Sequence, residues 1–319
     1  MHIDLYISMA GLLVGFVVGL TGMGGGALMT PVLVIFFGVQ PLAAVSSDLV
    51  AAVVMKPVGG FVHLRRGTVN RNLVKWLCMG SVPGAFAGVL VLKSFGNGEV
   101  VQTRLQYCLG ATLLLATGTM VAKAYLGVRR NSQERRGLVR PTVFVPEAVT
   151  SIEIHPVRTV LIGVLGGLVV GMTSVGSGSL IIVLMLVMYP SLQAGQLVGT
   201  DLVQAVPLVA SAALGHLIFG DFQFGLTTSL LIGSVPGVYL GARVSAQAPG
   251  RLVRRALMVV LFASGLKLAT IGNVGLLIAL GACVIVAPVG WMLLRRAHGL
   301  PARVPTPSHE GRERSGVAA

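Results

Sequence analysis

Charge is what this sequence lacks. Only 11% of its 319 residues are Asp, Glu, Lys or Arg, where a soluble domain carries about 25%. No Lys or Arg precedes Lys56, and none lies between Arg158 and Arg243. Apolar stretches of that length exceed what a soluble core needs and fit membrane spans of about 20 residues each. Aromatic residues are scarce at 6% and scattered, so no base-stacking platform forms and nucleic acid is not an expected partner. Cysteine is limited to Cys78, Cys108 and Cys283, with no CxxC pair and no Cys/His metal spacing; these read as small apolar helix residues. HExxH and GxSxG are absent, and the run TGMGGG has no Lys-Ser/Thr after it to make a phosphate loop. No metal and no organic cofactor is expected, and the chain does not read as an enzyme. The first residues carry no basic n-region and no small-residue cleavage site, so they read as a first membrane segment.

The net charge of +14 sits in short basic runs between apolar segments: Arg65, Arg66, Arg71 and Lys75; Arg129, Arg130, Arg135, Arg136 and Arg140; Arg251, Arg254 and Arg255; Arg295 and Arg296. Cytoplasmic loops of membrane proteins have this character.

The chain repeats itself. Residues 15–28, GFVVGLTGMGGGAL, return as residues 167–180, GLVVGMTSVGSGSL, at a spacing of 152. One residue is then inserted, and at a spacing of 153 Asp48 matches Asp201, His63 matches His216, Gly67 matches Gly220, and Gly80-Ser81-Val82-Pro83-Gly84 returns intact from Gly233 to Gly237. Chance apolar similarity does not hold His, Asp and a five-residue run in one register; the pattern is a tandem duplication.

The expected fold is therefore an all-α polytopic membrane protein of two tandem helical units, with about eight or nine hydrophobic segments. Residues 1–126 form the first unit, 127–158 a polar cytoplasmic connector, 159–272 the second unit, 273–295 an extra membrane helix, and 296–319 a disordered cytoplasmic tail. In each unit a segment A, ending in a glycine-rich break, is followed by a short B and longer C, D and E; C starts at Asp48 and its copy at Asp201. The loop after C holds Arg65, Arg66, Arg71 and Lys75, whereas its copy after His216 holds no Lys or Arg. Opposite bias in the two copies favours inverted repeats. A and B then either enter half-way and return or both cross obliquely; half-way entry is preferred, and a parallel arrangement with A and B as one broken span stands as the alternative.

Four constellations carry chemistry. The breaks, Thr21 with Gly24, Gly25 and Gly26, and Thr173 with Ser174, Gly176, Ser177, Gly178 and Ser179, place irregular backbone in apolar surroundings, which is tolerated where it lines a cavity or packs in protein. Helices restarting after them would aim positive ends and hydroxyls at an anion; close helix packing is the plainer reading. Asp48 and Asp201 are either helix N-caps or proton-coupling carboxylates. Lys56, followed by Pro57, is the one basic residue well inside a span, and its copy is Val209; it either pairs with Asp48, Asp201 or an anionic substrate, or snorkels to an interface. His63 and His216 end their segments as packing or capping residues, or handle protons.

Taken in order, GLTGMGGG, ALMTPVL, SSDL, HLRRGTV and GSVPG with their second copies resemble the sulfite exporter TauE/SafE family of membrane anion permeases. The resemblance runs from about Gly11 to Ile271. It implies a secondary transporter moving sulfite, a sulfonate or a related organosulfur anion across the bacterial inner membrane. The second break, with fewer glycines, departs from the first. The expected partners are a small anion and the lipid bilayer; a homo-oligomer is compatible with the sequence.

Overall fold

The computed structural model describes residues 4–21, 25–65, 67–96, 98–135, 153–190, 192, 194–244 and 250–269. The chain divides into two compact units, one of residues 1–123 and 142–276, the other of residues 124–141 and 277–319. Of the second unit, the described part is the end of one helix. The extra membrane helix and the tail expected from the sequence lie outside the described residues.

Ten helices follow one another among the described residues: α1 Leu5–Thr21, α2 Gly26–Phe36, α3 Pro41–Arg65, α4 Arg71–Ser94, α5 Glu99–Arg135, α6 Pro156–Thr173, α7 Leu180–Met188, α8 Ala194–Phe219, α9 Phe224–Val244 and α10 Gly250–Leu268. Six are long and apolar enough to cross a bilayer: α3, α4, α5 as far as Ala122, α6, α8 from Gly195, and α9 as far as Gly241. Large apolar side chains such as Leu13, Leu161, Leu165 and Val187 stand outward, where lipid rather than water is the matching solvent. The protein is an all-α polytopic membrane protein.

Two expectations change. Helices α3 and α8 begin well before the aspartates, at Pro41 and Ala194. Proline suits a first helical turn because its missing N–H has no acceptor there, and the Ala44 amide already donates to the Gln40 carbonyl at 2.9 Å. Asp48 and Asp201 are therefore interior helix residues and cap nothing. The A and B segments are also unequal. At 1.5 Å per residue, α6 reaches about 27 Å and α7 about 13 Å, against an apolar slab of about 30 Å. The 18-residue α6 is long enough to cross and the 9-residue α7 is not, so the pair is a long limb and a short one. Helix α5 continues to Arg135, into the expected connector.

Glycines determine which helices meet. A Cβ on Gly80, Gly84 or Gly88 of α4 would strike the backbone of Val160, Val164 or Leu168 of α6, and one on Gly163, Gly167 or Gly171 of α6 would strike α4 near Leu77, Ser81 or Ala85. The same seam recurs between α9 and α1: Gly233, Gly237 and Gly241 lie on Ser8, Leu12 and Phe16, and Gly11 and Gly15 on Leu230 and Ser234. Rising numbers meet rising numbers, so each pair runs parallel. Between helices in lipid, such backbone approach supplies the packing attraction that apolar burial supplies in water. Helices α3 and α8 meet the other way round. Ser46 touches His216 at 2.9 Å, Gly60 lies against Leu202 and Val203, and the Asn70 amide just past α3 donates to Thr200 Oγ1 at 3.1 Å. These two run antiparallel, so the end of α3 and the end of α8 lie at opposite ends of the bundle.

Candidate functional site

The second break is held in a set shape. Ser174, just past α6, takes a left-handed backbone with φ 59°, and Gly176 and Gly178 follow at φ 126° and 89°. Glycine accepts such angles freely, whereas a residue with a Cβ does so at a cost of about 1–2 kcal/mol. Thr173 ties the turn down: its hydroxyl donates to the Val169 carbonyl at 2.7 Å and accepts the Val175 amide at 3.3 Å. The Gly176 carbonyl then accepts the amides of Ser179, Leu180 and Ile181 at 3.3, 2.9 and 3.4 Å. The first-turn donors of α7 are thus largely spent within the turn, and the groups offered to the surroundings are hydroxyls.

Those hydroxyls meet α3. Ser174 Oγ donates to Asp48 Oδ2 at 2.7 Å, and Thr30 Oγ1 of α2 donates to the same oxygen at 3.1 Å. Two turns on, Lys56 Nζ donates to Ser177 Oγ. Asp48 and Lys56 are 1% and 7% exposed, so Lys56 does not snorkel. Its ammonium interacts electrostatically with Asp201 and with Asp48. Asp201, 1% exposed, accepts from Gln204 Nε2 at 3.1 Å, and Gln204 Oε1 accepts from Ser81 of α4 at 3.0 Å. One cation and two carboxylates therefore sit between α3, α8 and the second break, at a depth where ionisable groups are expensive and seldom idle.

The first break touches this cluster. A Cβ on Gly26 would collide with Ser174, and one on Gly25 would lie 3.3 Å from Met55 Cε and 3.8 Å from Asp48 Oδ1. The two breaks are in contact. Gly24 and the Thr21 side chain lie outside the described residues. Ser179 is half-buried at the start of α7 and makes no side-chain cap bond.

The histidines separate. His216 is fully buried; its Nε2 lies 2.8 Å from the Gly171 carbonyl and its Nδ1 2.9 Å from Ser46 Oγ. His63 is half-buried, with Nδ1 2.9 Å from Thr68 Oγ1. Several polar members of the site escape a reading of the repeats alone. Thr30 is a lone hydroxyl in an apolar run. Gln204 lies one turn past Asp201, a spacing that puts both on one helix face. Ser47 carries a buried hydroxyl with no hydrogen-bond partner among the described residues.

The comparisons with known proteins agree with this picture of a helical membrane chain. The probable membrane transporter protein YjnA of Bacillus subtilis (strain 168) is 36% identical over 263 residues, 82% of this chain and 98% of that protein. The probable membrane transporter proteins YdhB and YunE of the same organism are 23% and 25% identical, over 80% and 81% of this chain and 96% and 94% of their own lengths. No solved structure matches the chain. The family model described as sulfite exporter TauE/SafE matches residues 7–268. With the glycine breaks, the paired aspartates and the glycine seams all inside that match, the chain belongs to the sulfite exporter TauE/SafE family.

Proposed function

We propose that this protein is a secondary transporter, not an enzyme, that moves a small anion across the bacterial cytoplasmic membrane with a proton as the coupling ion. The substrate class is sulfite, a sulfonate or a related organosulfur anion, in keeping with the family and with relatives named as probable membrane transporters. The binding place is the contact between the two breaks, and the observation that carries the reading is Lys56. It is buried, reaches Ser177 in the second break, and has no counterpart in the other half, where Val209 stands. An ammonium has three hydrogens, and those not directed at Ser177 are what an oxyanion would take.

Charge supplies the argument for coupling. Lys56 balances one of Asp48 and Asp201. A monoanion added beside the other carboxylate would bring two uncompensated negative charges into a low-dielectric interior, where like charges repel strongly. A proton on one carboxylate removes that cost, so anion and proton are favoured together. The antiparallel contact of α3 with α8, equivalent segments of the two repeats, supports an inverted arrangement in which the halves exchange roles during alternating access.

The test is uptake of labelled sulfite, isethionate or thiosulfate by the purified protein in liposomes under an imposed pH gradient. Accumulation should follow the gradient. Gly26→Val, which forces a side chain into Ser174, should abolish uptake while the protein still inserts and purifies as a folded species. A folded wild-type protein that moves none of these anions would replace the transporter with a membrane scaffold.

A further inference from the structure

His216 is a buried titratable group that the anion site leaves unused, and its hydrogen-bond inventory is unusual. The Gly171 carbonyl can only accept, so Nε2 carries a hydrogen. Ser46 has one hydroxyl hydrogen and two acceptors within reach, His216 Nδ1 at 2.9 Å and the Leu42 carbonyl at 2.7 Å. Two complete patterns follow. With a neutral ring, Ser46 donates to Nδ1. With an imidazolium, Nδ1–H donates to Ser46 Oγ, and the hydroxyl hydrogen turns to Leu42. Interconversion takes one hydroxyl rotation and strands no polar atom. A buried cation usually forfeits hydrogen bonds as well as hydration; here the first loss is absent.

The position of the ring fits this property. It underlies a hollow of about 140 Å³ whose lining includes Lys93, Gly96, Gly98, Gln102 and Phe219, where the loops after α4 and α8 meet. That volume holds several waters at about 30 Å³ each. Its partner Ser46 belongs to α3, the helix that also carries Asp48 on a different face. We propose that His216 is a proton-binding site, loaded from this hollow, that carries a proton in the transport cycle. The proposal rests on the proton-coupled reading above. The charged side chain at the hollow is Lys93 at the end of α4, stacked on Phe219 at 4.3 Å; Asp221 follows Gly220 of the lining, and Glu99 and Arg104 lie on α5 within two residues of the lining residues Val101 and Gln102. The one ionisable residue of α6, Arg158, sits at its opposite end from Gly171, and α7 has none. In the other half the equivalent of Ser46 is Gly199, which has no hydroxyl to turn, so the inference extends to His216 and not to His63.

Two measurements test it. In the intact protein with ¹⁵N-labelled histidine, acidification should protonate Nδ1 of the His216 signal while Nε2 stays protonated throughout; an Nδ1 that stays bare over the pH range of gradient-driven uptake overturns the proposal. In liposomes, anion-for-anion exchange without a pH gradient reports whether transport exists at all. His216→Gln should keep that exchange and lose gradient-driven accumulation by tenfold or more, and Ser46→Ala should lose about tenfold, since an imidazolium would be left without its Nδ1 acceptor. Absence of exchange in the wild type refutes the transport reading itself. Exchange together with undiminished accumulation in folded His216→Gln refutes only the proton site.

Discussion

Replacing Lys56 with methionine keeps most of the stem's volume and deletes the ammonium, which makes it the sharpest perturbation of the proposed site. The buried lysine donates to Ser177 and interacts with both Asp201 and Asp48. Removing one partner from a buried charge set typically costs about 3–5 kcal/mol when the remaining charges stay ionised. Here the carboxylates can take up a proton instead, which limits the loss of folding stability to the lower part of that range. The effect on substrate cannot be limited in this way. A hydrogen bond to a charged group contributes about 1.5–3 kcal/mol, so the variant should bind its anion roughly 10- to 150-fold more weakly. Lys56→Arg keeps the charge on a wider, planar head and should fall between the two. Binding of sulfite or a sulfonate to purified protein by calorimetry, beside a melting curve for each variant, separates affinity from folding. A folded Lys56→Met protein whose Kd lies within about twofold of the wild type would refute the assignment of Lys56 to the substrate.

Other consequences follow from the same geometry. Alanine at Gly80 or Gly233 drives a Cβ into the backbone of the partner helix, so each should lower stability by about 1–3 kcal/mol in a detergent melt; Gly118→Ala, where a Cβ meets open space, should not. Ser174→Gly and Ser174→Ala both lose the hydrogen bond to Asp48, but only glycine relieves the left-handed angle, so the alanine variant should melt lower, by about 1 kcal/mol. Single cysteines at Arg65→Cys and Asp221→Cys should be labelled by a membrane-impermeant reagent from opposite faces of the membrane; labelling from one face would end the inverted arrangement.

Much of this architecture was legible before any coordinates. The all-α membrane fold followed from long uncharged runs, and the breaks from glycine concentrated at matched positions; His63, Asp48 and GSVPG recur in register with His216, Asp201 and a second GSVPG. Helix starts were harder. SSD and GTD resemble caps, yet α3 and α8 start at Pro41 and Ala194, about two turns before Asp48 and Asp201, and local hydrogen-bonding preference gave way to tertiary packing. Pairing lay beyond the reach of pattern. Glycines at Gly80, Gly84 and Gly88 reveal a face that needs a close neighbour, but not that the neighbour is α6 from the other half. Nor does a residue list say that the Gly176 carbonyl captures the first amides of α7, which moves the donor chemistry from backbone to Ser174, Ser177 and Lys56.

The contrast between symmetric scaffold and asymmetric chemistry bears on how such a protein could alternate. In the α1–α9 and α4–α6 seams backbone meets backbone, and a slide of either helix would drive glycine faces into carbonyl groups. Packed interfaces of this kind are bistable at best and do not deform gradually. In the transport cycle proposed above, each pair would move as one body, and each body joins a helix of the first half to a helix of the second. Outside the seams the contacts run largely through side chains: Ser46 against His216 and the Asn70 amide on Thr200 Oγ1 beside α3 and α8, Ser81 on Gln204 and Ser211 on the Val82 carbonyl between α4 and α8, with the charges at Asp48, Lys56 and Asp201 beside them. Two of these positions differ between the halves, Lys56 opposite Val209 and Ser46 opposite Gly199, while Asp48 matches Asp201 and His63 matches His216. A scaffold of two matching bodies keeps its two extreme states close in energy. In the proposed cycle the differing side chains would let a bound anion or proton favour one state over the other, which is the one way a ligand can shift such an equilibrium.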